Sequence, residues 1–167
     1  ISMTKVVVLC NNYEPNHFPT EPDEEDRFFT YGFGNTFGKL ISTYLLGYEV
    51  EVWRIDRYCK DKFYTKTINT ITYKVFRSIP VYKLGHYSMH FISEIKKENK
   101  ISSPVFLIVH TNSWQTYPIL FSLKNAKIVT THHGDWSPFY LYRNSNGLRK
   151  IKALMGILAE KLVLKNV

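Results

Sequence analysis

Two stretches leave this chain little freedom of architecture: "KVVVLC" (5–10) and "PVFLIVH" (104–110). Each is a continuous run of β-branched and large apolar residues with no polar alternation. A strand written this way must bury both faces, and such strands occur in parallel sheets covered by helices on both sides. The rest of the chain alternates to match. "NTFGKLISTYLLG" (35–47) sets Phe37, Leu40, Ile41, Tyr44 and Leu45 at helical spacing, with Asn35 as a cap and Gly47 as a terminator. "YEVEVWRI" (48–55) is a second strand, "NTITYKVFRSIPVYKL" (69–84) a third strand region with Pro80 near its end, and "HYSMHFISEIKKENK" (86–100) a helix. Beyond 104–110 come a short helical region (115–125), a strand in "AKIVTTHH" (126–133), and a basic helix, "GLRKIKALMGILAEK" (147–161). "LVLKNV" (162–167) reads as a closing strand. Strands separated by helices predict an α/β fold, a Rossmann-like, doubly wound parallel sheet with helices on both faces.

Size bounds this to one unit. The 167 residues, 44% of them hydrophobic, supply one packed core, so 1–167 is a single domain. Ile1-Ser2 ahead of Met3 reads as a cloning remnant, and 11–31, acidic and proline-containing, as an inserted loop. Cys10 and Cys59 form neither a disulfide framework nor a zinc-ligand spacing, which fits a reduced, cytoplasmic chain. No apolar run approaches the roughly 20 residues that cross a bilayer, and no signal-peptide pattern opens the chain.

The net charge of +8 is unevenly placed: seven basic residues and one acidic from Arg57 to Lys83, six basic and one acidic in the last 31 residues. Such a surface suits an anionic partner, whether a phosphate ester, acidic lipid or nucleic acid, and equally a set of solvated helix faces. In the helix 147–161, Leu148, Ile151, Leu154, Met155, Leu158 and Leu162 make the apolar side, with Arg149, Lys150, Lys152 and Lys161 mostly off it. That reads as a core-facing helix with a wet basic side, or as a contact with the inner face of an anionic membrane.

In open parallel sheets ligands sit beyond the carboxyl ends of the strands. The residues there are Asn11-Asn12, Asp56, His110-Thr111-Asn112 and His132-His133-Gly134-Asp135. The glycines of "YGFGNTFGKL" (31–40) would let amides at a helix start approach a phosphate. A dinucleotide fingerprint with Asp56 on the ribose fits poorly. The third glycine is one residue late, and 21 residues (11–31) separate the first strand from Gly32.

Taken in order, the polar end of the first strand, the Gly-rich helix start, "LLGYEVEVWRI", "VFLIVHTNS" and "KIVTTHHGD" resemble the N-terminal, acceptor-binding half of a GT-B retaining glycosyltransferase of family 4. The resemblance runs from Lys5 to Val167. It implies two Rossmann-like domains facing across a cleft, the second binding the nucleotide-sugar, which is a co-substrate; no cofactor is implied. Gly32, Phe33 and Gly34 would contribute amides near the donor diphosphate. His110 would line the cleft near the transferred sugar, and His133 would be the second catalytic histidine. Thr131, Gly134 and Asp135, with Asn11, Asn12, Thr111 and Asn112, would shape the acceptor side, where a glycan or a lipid-phosphate-linked acceptor binds. Two departures stand out: Tyr48 replaces the usual His after Gly47, and Phe33 splits the glycine pair. Without the second domain and its paired-glutamate motif, the isolated chain should be inactive.

Other chemistries fit less well. His132 and His133 as neighbours point to opposite sides of an extended chain, so no metal site is expected, although His110, Asp135 and His17 remain as donors. No G-x-S-x-G elbow surrounds Ser113 or Ser137. The aromatics, Trp53, Trp114 and Trp136 among them, scatter through core elements rather than one strand face, so no nucleic-acid partner is expected. A Rossmann-type nucleotide-binding domain and a basic nucleic-acid or membrane-surface module are the alternatives.

Overall fold

The computed structural model describes residues 3–11, 33–82, 85–111, 114–123, 125–131 and 137–165. Six strands form the main sheet: β1 (Thr4–Cys10), β2 (Tyr48–Asp56), β3 (Phe63–Ile68), β4 (Ile71–Arg77), β7 (Val105–Ile108) and β8 (Lys127–Thr130). Between β4 and β7 lies a two-stranded hairpin, β5 (Ile79–Val81) and β6 (Gly85–Tyr87). The order across the main sheet is β3-β4-β2-β1-β7-β8, and every pairing is parallel except β3 with β4. The sheet is thus mostly parallel, as the apolar runs require.

Successive side chains of a strand point to opposite faces, so β1 supplies apolar groups to both sides of the sheet. Val7 and Leu9 join Trp53, Phe76, Phe106 and Ile108 on one face, while Val8 joins Val50, Val52, Tyr73, Val75 and Leu107 on the other. The first face is covered by α2 (Met89–Ile101), α3 (Thr116–Ser122) and α5 (Leu148–Lys165), through Phe91, Ile95, Ile119 and Ala159. The second is covered by α1 (Phe33–Tyr44), through Phe37 and Ile41. Phe76 centres an aromatic group, its ring 5.4 Å from Trp53 and 5.4 Å edge-on from Phe91. Each such buried large side chain contributes about 1.5–3 kcal/mol relative to exposure. A short α4 (Pro138–Arg143), begun by proline where no amide donor is needed, precedes α5.

Several elements differ from the expectation. The 35–47 helix starts earlier, at Phe33, so Asn35 is no cap; its Oδ1 accepts a 2.8 Å hydrogen bond from the Tyr73 hydroxyl instead. Gly47 does lie beyond the helix end, at φ 88°. Of the expected apolar face only Phe37 and Ile41 pack on the sheet, and Leu40, Tyr44 and Leu45 are exposed. The 86–100 helix begins later, at Met89, because the Ser88 hydroxyl caps it by accepting from the Phe91 amide, which leaves 85–87 to pair as a strand. β3 was not anticipated. Asn69, at φ 56°, turns it straight into β4 as an edge hairpin with alternating exposure. No closing strand forms from 162–167 within the described residues, since Leu162 to Lys165 continue α5.

The largest correction concerns α5. Its buried residues are Ala153, Gly156, Ile157 and Ala159, whereas Leu148, Ile151, Leu154 and Leu158 face outward and Met155 and Leu162 are half-buried. Small side chains let the helix lie close on its neighbours, and the leucine stripe is left on the far side.

Candidate functional site at the switch of strand order

The chain leaves β1 through α1 toward β2, and later crosses by α2 to β7 on the other side of β1. Connections therefore diverge between β1 and β7, which opens a crevice at their carboxyl ends. Gly34, in the first turn of α1, sits directly above it: a Cβ added there would lie 1.9 Å from Cys10 Sγ and 3.8 Å from a Val109 methyl. The positive end of a twelve-residue helix dipole thus faces the crevice. One turn on, a Cβ on Gly38 would lie 2.5 Å from a Val52 methyl. The glycine-rich pattern is therefore demanded at two positions by close helix–sheet packing.

Four further predicted residues meet here. Asn11 is completely buried, and its Nδ2 donates to the His110 carbonyl at 3.2 Å and to Thr116 Oγ1 at 2.7 Å, while its Oδ1 accepts from the His110 amide at 3.4 Å. Its side chain ties β1 to the end of β7 and the start of α3. Thr111 donates its hydroxyl to the Thr131 carbonyl at 2.7 Å, and the Thr131 hydroxyl donates to the Val109 carbonyl at 2.8 Å. The Thr131 amide reaches the Ile108 carbonyl at 3.1 Å, extending the β7–β8 ladder. His110 is half-buried at the mouth of this framework. Burial pushes the Cys10 thiol up to about 11, against the opposing charge of Arg54, which keeps it protonated and a poor nucleophile. Helix dipole, imidazole and rigid strand ends suit an anionic or polyhydroxylated ligand. Asn12, Gly32, Asn112, His132, His133, Gly134 and Asp135 lie outside the described residues, as does the Phe33 side chain. Among the described residues, no group of His, Cys, Asp and Glu side chains could hold a metal ion.

A second polar group shares this edge of the sheet; Asp56 was expected at a strand end, whereas His86, Ser78 and Gln115 were not. His86 of β6 places Nδ1 3.3 Å from Ser78 Oγ, and its carbonyl accepts from Gln115 Nε2 just before α3. Burial first, and then the charge of Arg57, hold the His86 ring below its ordinary value, against the pull of Asp56. Asp56, only 4% exposed, caps its own turn by accepting from the Tyr58 amide at 2.9 Å. A recess of about 10 Å³, the room of about one water, is lined here by Asn11, Ile55, Tyr87, Ser88 and Gln115 among others. Tyr87 stacks on Trp114 at 5.9 Å beside it. Recognising Ser88 as the helix cap would have released His86 from the helix; Gln115 carries no local signal, because its partner lies 29 residues away. Comparisons with protein-family models, with curated proteins and with solved structures find no match to this chain.

Proposed function

We propose that the chain is the N-terminal, acceptor-binding domain of a cytoplasmic GT-B retaining glycosyltransferase similar to family 4. The observation that supports this most is the meeting of Gly34, His110, Thr111 and Thr131 at the point where strand order reverses. These residues come from the same motifs that carry the sequence resemblance.

In this reading the donor diphosphate lies against the start of α1, stabilised by the helix dipole rather than by a metal. The bond from the anomeric carbon to the diphosphate breaks, the acceptor oxygen bonds to the same face of that carbon, and the acceptor proton leaves with the diphosphate. His110 faces the transferred sugar, and the β7–β8 ends hold the acceptor side. A glycan or lipid-phosphate-linked alcohol is the acceptor, and a second domain binds most of the nucleotide-sugar.

The reading requires coding sequence beyond Val167 for a second Rossmann-like domain with paired glutamates; a stop codon there would sink it. In the full-length enzyme, His110→Ala should lower kcat by about 10²-fold or more with an unchanged melting temperature. Unchanged turnover removes His110 from the site. The isolated chain should turn over no sugar nucleotide, and direct binding of NAD to it would favour the dinucleotide alternative.

A further inference from the structure

We propose that the outward side of α5 is a docking surface for an anionic lipid membrane. Lys150, Leu154, Leu158, Lys161 and Lys165 follow one another at spacings of four, four, three and four, a single row along the helix, with Ile151 beside it. All are exposed, the three aliphatic side chains at 53% (Ile151), 42% (Leu154) and 37% (Leu158). The one carboxylate of α5, Glu160, is half-buried and off this row. No described helix is long and apolar enough to cross a membrane, so contact is by lying on the surface.

The chemistry of the row selects the occupant. Aliphatic side chains seat among acyl-chain ends while the lysines that flank them reach phosphates, Lys161 and Lys165 at one end and Lys150, whose ammonium lies 4.8 Å over the Tyr142 ring, at the other. A second copy docked through the same stripe would set lysine row against lysine row, because a two-fold interface uses the same patch on both partners. Three aliphatic residues on one helix also fall well short of the roughly 1,200 Å² that specific protein interfaces bury.

The test is co-sedimentation of the protein with vesicles of phosphatidylcholine and phosphatidylglycerol in equal parts, against phosphatidylcholine alone. Binding is expected only with phosphatidylglycerol, and should weaken as salt rises. Lys150→Gln, Lys161→Gln and Lys165→Gln should each weaken it about fivefold at low salt. The combined variant Ile151→Ser, Leu154→Ser, Leu158→Ser should weaken it roughly tenfold or more. If the serine variant melts early, the lysine variants carry the test. Absence of binding at low salt, equal binding by all variants, or a lipid-free dimer dissolved by the serine variant would each overturn the proposal. Vesicle binding and sugar transfer are separate readouts, so failure of one leaves the other standing.

Discussion

Asn11 sits where β1 ends, and all three of its described hydrogen bonds go to the end of β7 and the start of α3. Replacing it by alanine leaves the His110 amide without this acceptor and Thr116 Oγ1 without this donor in a buried setting, a cost of about 1–3 kcal/mol. Asn11→Ala should therefore lower the thermal midpoint on the order of 5 °C by calorimetry; an unchanged midpoint would mean the latch contributes nothing. The position of Asn11 was legible from the rule that polar groups gather at carboxyl strand ends. Its role was not, because its partners lie about a hundred residues away in sequence. The same holds for Gly34 and Gly38. Their presence suggested a phosphate loop, while the structure adds a second reason in Cys10 of β1 and Val52 of β2, which leave no room for a Cβ at these two helix positions.

Among the elements, β1 and β7 were legible because strands buried on both faces are written in continuous apolar runs. α5 was legible as a helix but not in orientation. Periodicity weighs leucines heavily and alanine or glycine lightly, whereas close packing against a neighbour favours the small residues. This inverts the usual expectation for substitutions and can be measured in urea. Ala159→Leu, at a fully buried position, should overpack the core and cost about 1–3 kcal/mol. Leu154→Ser, on the outward side, should stay within about 0.5 kcal/mol of wild type. The opposite ranking would show that the leucine stripe is the packed face after all. β3 escaped the sequence reading because it is an edge strand, exposed at every second residue and without an apolar run.

Across the whole molecule, α2 is tied to the sheet by an ion-pair network drawn from four elements. Lys5 of β1 lies 2.9 Å from Glu51 of β2 and 2.9 Å from Glu98 of α2, and Lys74 of β4 lies 3.2 Å from Glu94 of α2. Burial alone would raise the Glu98 carboxyl, but the Ser102 hydroxyl and then the Lys5 ammonium hold it below its ordinary value. Burial would likewise lower Lys5, yet its bonds to Glu51 and Glu98 raise it above the usual lysine range. The two signs define a window. A depressed carboxyl stabilises above its unfolded value of about 4.3 and loses that contribution as pH falls through the folded value. A raised lysine stabilises fully below about 10.4 and loses the contribution only as pH rises through its higher folded value. Between these limits the network contributes in full. Unfolding free energy from urea titrations should therefore be level with respect to this network through neutral pH and fall as pH drops from about 5 toward 3. In Glu98→Gln the plateau should be lower and the acid fall shallower, because one linked proton is gone and Lys5 keeps only the partners on β2. An acid slope identical to wild type would remove Glu98 from the groups that govern stability, and leave α2 held by Phe91, Ile92 and Ile95 and by the Lys74–Glu94 pair.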